Sequence, residues 1–170
     1  RDAALFETLT TRRADVFAKE PGVVEEIIAA AVRIKAEVVT ADEKEGGLRR
    51  ILNYGHTVGH ALEAETGYTR FLHGEAVAFG MHAANNIAVA AGTLSQNDAA
   101  RIDEVVRDYG PIPSRDGIAA DALLGRLVKD KKAIRGAVHF VLPTGVGDTT
   151  VVSGLENKLV LDAIQAALRK

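Results

Sequence analysis

A mainly α fold with one small β-hairpin is predicted from three features of the sequence. The chain is alanine-rich, and its 170 residues hold only 4 prolines and 5% aromatics, a balance that favours helix. Apolar residues recur at 3.6-residue spacing through several segments punctuated by Gly and Pro. Near the end, "AVHFVLP" and "DTTVVSG" alternate around Thr144-Gly145-Val146-Gly147, the pattern of two strands and a turn.

Residues 2 to 19 form the first expected helix, anchored by Leu5, Phe6, Leu9, Val16 and Phe17 and ended by Pro21-Gly22. Residues 22 to 42 form the second, with Val24, Ile27, Ile28, Ala31, Ile34 and Val38 along one face. Gly46-Gly47 open a third, from 48 to 65, which Thr66-Gly67 close. Residues 74 to 91 are apolar nearly all round, as in a helix at the centre of a bundle. Ser95 or Asn97 can cap the next helix, which runs through Tyr109. A short helix is expected over 121 to 129, then the hairpin, then a closing helix over 155 to 168.

Net charge is −2, so no global field draws the chain to nucleic acid or an anionic membrane. The absence of cysteine excludes disulfides, thiolate zinc sites and thiol catalysis, and fits a cytoplasmic setting. No apolar run approaches the roughly 20 residues that span a bilayer, and no signal peptide opens the chain.

The chemistry concentrates in the third helix. Arg49, Asn53, His56, His60 and Glu63 share one face of a continuous helix, opposite a Leu/Ile stripe. A solvated face usually carries Lys and Glu, not Asn and His. Gly55 and Gly59 beside it allow close approach of backbone or ligand. Histidines at i and i+4 can both reach one metal, and His73, on the loop before the central helix, can turn inward as a further donor. Lys35 lies near the end of an apolar helix, and "KDKK" at 129 to 132 precedes a strand. Alone, each is ordinarily a snorkelling or solvated cation. His82 and His139 show no partner pattern and are taken as structural. A metal with several cations suits a small, highly anionic substrate carrying phosphate and carboxylate.

The stretch from Lys35 to Met81, "KAEVVTADEKEGGLRRILNYGHTVGHALEAETGYTRFLHGEAVAFGM", closely resembles the signature of the 3-dehydroquinate synthase family. The later "KDKKAIRGAVHFVLPTGVG" looks like that family's distal lysine segment. The resemblance covers essentially all 170 residues. It implies the C-terminal, mostly helical domain that carries metal and substrate, with the N-terminal NAD-binding domain absent from this chain. No glycine-rich phosphate loop follows a strand here, in keeping with that division.

The resemblance further implies that His56 and His73 are metal ligands and that His60 is a substrate-side residue, which revises the simple i, i+4 metal reading. The family's third ligand, a glutamate, precedes the first helix, and no residue of this chain matches it. Lys35 and Arg49 are implied as anchors for a carboxylate, Asn53 as a hydrogen-bonding group, and Glu45 as the acid that positions a water or hydroxyl. One of Lys131 and Lys132 is implied to contact phosphate, Lys131 being preferred. Lys35, Glu45 and His60 are the implied catalytic set.

The activity so implied is that of a carbon–oxygen lyase of the shikimate pathway. It converts 3-deoxy-D-arabino-heptulosonate 7-phosphate to 3-dehydroquinate and phosphate, with NAD and a zinc or cobalt ion, as a cytoplasmic homodimer. The isolated domain is expected to be inactive, because nothing in it can hold the nicotinamide. Three rival readings stay open: another sugar-phosphate cyclase, a metal-dependent dehydrogenase related to glycerol dehydrogenase, and a helical interaction module without chemistry.

Overall fold

The computed structural model describes residues 1–44, 47–133 and 136–169, with the side chains of 130–133 outside the description. The fold is mainly helical with one antiparallel hairpin, as the sequence predicts. Of the expected site residues, Glu45 and the side chains of Lys131 and Lys132 lie outside the described residues.

The first expected helix is two: α1 (Ala3–Thr11) and α2 (Arg13–Phe17). Arg12 leaves the helical dihedrals between them, at φ −110° and ψ 24°. Asp2 caps α1 by accepting from the Leu5 amide at 2.9 Å. Its ion pair with Arg33 and this capping bond hold its carboxyl below the usual carboxylate range, the cap bond contributing most. α3 (Pro21–Ala41) begins with proline at its first turn, where the missing N–H costs nothing.

The expected helix over 48 to 65 is also divided. A 3₁₀ segment, Leu48–Asn53, ends at Tyr54, and α4 (His56–Glu65) starts anew. Gly55, at φ +82°, is left-handed and cannot continue a right-handed helix. Arg49 and Asn53 therefore sit on a different element from His56 and His60.

α5 (His73–Ala90) is the central helix, with Ala76, Phe79, Ala83 and Ile87 wholly or almost wholly buried. It packs against α4 so closely that a Cβ on Gly59 would stand 2.9 Å from the Ala76 carbonyl oxygen. α6 (Gln96–Asp108) is capped by Ser95, which accepts from the Asp98 amide at 3.0 Å. α7 (Ala120–Ala133) runs longer than expected and pairs with α4 through Arg126 Nε and Glu65 Oε2 at 2.9 Å.

β1 (His139–Gly145) and β2 (Asp148–Ser153) pair with Phe140 opposite Val152 and Leu142 opposite Thr150. Phe140 and Leu142 join the core with Leu62, Phe79, Leu123 and Ile164. The hairpin is tied to the start of α4 by a bond from Thr57 Oγ1 to the His139 carbonyl, 2.9 Å. α8 (Asn157–Leu168) closes the bundle, its Ala163 carbonyl accepting from Asn86 of α5 at 3.1 Å. Among the described residues, no helix is long and apolar enough to cross a membrane.

Candidate metal and anion site

Three histidines meet where α4 packs against the first turn of α5. Restarting the helix after Gly55 puts His56 and His60 on the same side, one turn apart. His73 is the first residue of α5, not a loop residue as the sequence predicts. The close α4–α5 contact brings its ring alongside the other two. Ring centroids are 5.4 Å apart for His56–His60, 5.3 Å for His56–His73 and 5.7 Å for His60–His73.

These separations fit a divalent ion. With Zn–N bonds of about 2.0–2.1 Å at tetrahedral angles, two ligating imidazole rings stand about 5 Å apart, centre to centre. The proton positions fit as well. His56 Nδ1 lies 3.2 Å from the Tyr54 carbonyl, which can only accept, so this nitrogen is the donor, and in the neutral ring Nε2 keeps its lone pair. By ligand atoms the group that lies within 4.8 Å of one another is His60, Glu63 and His73, and His56, whose ring stands beside them, is not in that set. Glu63, expected only as one polar residue of a helix face, is buried and bonded to His73 Nδ1 at 3.0 Å. Its role depends on an element ten residues away, and no local pattern announces it.

The cations gather in a second place. Lys35 from α3, with Arg49, Leu52 and Asn53 from the 3₁₀ segment, lines a cleft of about 550 Å³ that Leu5 of α1 helps to close. Asp42 Oδ2 accepts from the backbone amides of Gly47 and Arg49, at 2.8 and 2.9 Å, and so fixes the backbone that carries the guanidinium. Arg49 Nη1 donates to the Glu43 carbonyl at 3.2 Å. The cleft thus pairs an ammonium with a guanidinium, donors suited to a carboxylate or phosphate. Two larger grooves, of about 780 and 850 Å³, contain none of the expected site residues.

His82 is structural, but it does have a partner. Its Nδ1 donates to Asp103 Oδ1 at 2.6 Å, and Asn85 Nδ2 donates to the same oxygen at 2.8 Å. Tyr54 Oη donates to Asn85 Oδ1, completing a buried network between the 3₁₀ segment, α5 and α6. Burial pushes the Tyr54 hydroxyl well above its ordinary value of 10.0. His139 is exposed and engages Thr57 through its backbone alone among the described contacts.

For NAD the residues present do not fit. Among the described residues the one sheet is a two-stranded antiparallel hairpin, and none of them forms a strand–glycine loop–helix unit of the kind that receives a pyrophosphate.

The family described as 3-dehydroquinate synthase C-terminal matches residues 1–133. A 3-dehydroquinate synthase of Solibacter usitatus is 56% identical over 168 residues, 99% of this chain and 47% of that protein. The enzyme of the same name from Koribacter versatilis is 43% identical over 95% of this chain and 44% of its own length. Among solved structures, 2-epi-5-epi-valiolone synthase of Streptomyces hygroscopicus, with NAD+ and Zn2+ bound, superposes with a TM-score of 0.85. It is 26% identical, over 99% of this chain and 47% of that one. A 2-deoxy-scyllo-inosose synthase complexed with carbaglucose-6-phosphate, NAD+ and Co2+ shares the fold at a TM-score of 0.72 and 24% identity, over 86% of this chain and 41% of that one. The chain spans about half the length of the curated relatives it matches. On these likenesses, it belongs to the 3-dehydroquinate synthase family and corresponds to that family's C-terminal region.

Proposed function

We propose that this chain is the metal- and substrate-binding part of a 3-dehydroquinate synthase, in which an N-terminal NAD-binding domain completes the enzyme. The reaction is conversion of 3-deoxy-D-arabino-heptulosonate 7-phosphate to 3-dehydroquinate with loss of phosphate, in the cytoplasm and by a homodimer. The observation that carries this reading is a cluster of three imidazoles and a separate Lys/Arg/Asn cleft within one small helical fold. The zinc and cobalt named with the solved relatives support a divalent metal here.

In this reading His56 and His73 would hold the ion, with a carboxylate as the third donor that the family resemblance implies. A divalent cation there would supply Lewis-acid polarisation of a substrate oxygen. Arg49 grips the substrate carboxylate through two parallel N–H donors, and Lys35 adds a point charge at the same end. Asn53 donates to, or accepts from, a ring hydroxyl. His60 is exposed beside the other two rings and moves a proton at the departing phosphate. Lys131 or Lys132 neutralises that phosphate, and Glu45 orients a water or hydroxyl. Together these groups fix one conformer of a flexible polyanion, so that successive steps need little further motion.

The 170-residue chain by itself holds no nicotinamide and is inactive in this account. The rival substrates are chosen with the solved relatives in view, which are named 2-epi-5-epi-valiolone synthase and 2-deoxy-scyllo-inosose synthase. The test is incubation of the gene's full-length product with the carboxylated heptulosonate phosphate, a neutral heptulose phosphate and glucose 6-phosphate. Phosphate release from the first alone supports the assignment. Turnover of either uncharged-end substrate instead moves the protein to another cyclase of the same architecture.

A further inference from the structure

We infer that Glu63 is a positioning residue: its carboxylate fixes the His73 ring with the proton on Nδ1 and Nε2 turned to the metal. The inference rests on the proposal that His56 and His73 are ligands.

The observations concern an acid in an unusual place. Glu63 lies on α4 and its side chain is only 8% exposed, whereas that of His73 is 57% exposed. A carboxylate withdrawn from water on this scale needs a partner to offset its desolvation. Among the described contacts its only side-chain partner is His73, with Oε1 to Nδ1 at 3.0 Å. Glu65, two residues on, reaches the surface and pairs with Arg126. An ionised carboxylate only accepts, so Nδ1 is the donor, and in the neutral ring Nε2 keeps its lone pair.

His56 shows the same arrangement built from different parts. Its Nδ1 donates to the Tyr54 carbonyl, which leaves its Nε2 free too. Two rings from two helices thus have their Nδ1 atoms tied to the protein, while their centroids stand 5.3 Å apart. Acceptors behind a ligating imidazole fix its tautomer, aim its ring and raise its basicity. The competing role for Glu63 is direct ligation, since its oxygen lies within 4.8 Å of ligand atoms of His60 and His73. The bond argues against it: Oε1 is engaged with His73 Nδ1 at 3.0 Å, on a side chain that is itself buried, and the other ring nitrogen is the one left to ligate.

The test uses the full-length product stripped of metal. Zinc and cobalt affinities are measured by calorimetric titration for the native protein, Glu63→Ala, Glu63→Gln, His56→Ala and His73→Ala. Nitrogen-15 spectra report the His73 tautomer, and the visible spectrum of the cobalt form reports coordination number. Expected for Glu63→Ala is an affinity loss of about 10- to 100-fold, a mixed His73 tautomer, and a cobalt spectrum of native coordination number at saturation. Glu63→Gln keeps an acceptor but loses charge, so its loss is smaller. It carries the test alone if the alanine variant does not fold. Unchanged affinity and tautomer in both variants overturn the inference while the metal proposal stands. A cobalt spectrum that loses a ligand also overturns it, in favour of direct coordination. If His56→Ala and His73→Ala both bind metal as the native protein does, the metal proposal falls and the inference with it.

Discussion

The carbonyl oxygen of Gly55 occupies the place a side chain on residue 80 would need: a Cβ added to Gly80 would lie 1.9 Å from it. This contact seats the start of α4 on α5, and it sets how close His56 and His60 come to His73. The obstructing atom is backbone and cannot rotate away. Gly80→Ala is expected to cost about 3 kcal/mol or more, the upper end for overpacking, because one helix must shift off the other. Urea unfolding measures the loss. The same variant should bind zinc more weakly even where it is fully folded.

Arg49 offers a test of the anion cleft that leaves the fold alone. Its backbone amide is held by Asp42, so the 3₁₀ segment survives a change of side chain. Arg49→Lys is expected to lower kcat/KM about 10-fold or more, mostly through KM, because one ammonium cannot reproduce two parallel donors. Steady-state kinetics with the full-length product decide it, and a variant indistinguishable from native would remove Arg49 from the site.

The buried network predicts a stability effect at Asp103. Its Oδ1 accepts from both His82 and Asn85. Asp103→Ala leaves both donors buried without an acceptor, at a cost of about 3 kcal/mol. His82→Ala and Asp103→Ala together should cost less than the sum of the two, as a double-mutant cycle can show.

The Tyr54 hydroxyl gives the fold an alkaline limit. Burial raises its pKa above the ordinary value of 10.0, so the unfolded chain releases this proton before the folded one. The contribution to stability is complete below pH 10 and falls as pH rises beyond it. Urea midpoints of the metal-free protein, followed from about pH 8 to pH 11, should decline in the native protein. In Tyr54→Phe that decline should be smaller, over a baseline lowered by about 1 kcal/mol for the lost hydrogen bond.

Much of the architecture is legible in the sequence because it rests on local patterns. The all-apolar run over 74 to 91 becomes the central α5, and the alternation around Thr144 to Gly147 becomes the hairpin. The turn at Tyr54-Gly55 is less legible. A glycine inside a helical pattern reads equally as a packing notch or as a break, and Gly55 serves as both. The three histidines and the Lys35, Arg49 and Asn53 set stand out by residue type and spacing, but their separation into a ring cluster and a cleft follows from that turn. The burial of Glu63 and the pairing of His82 with Asp103 depend on helices meeting across 10 and 21 residues of chain, and no periodicity encodes them.

The decisive measurement is phosphate release from 3-deoxy-D-arabino-heptulosonate 7-phosphate by the full-length product, followed before and after removal of its metal. Expected are one 3-dehydroquinate per phosphate with no accumulation of NADH, loss of turnover on chelation, recovery with zinc or cobalt, and no recovery in His56→Ala. Turnover that survives both chelation and His56→Ala, or NADH formed in step with substrate and without phosphate, would contradict it.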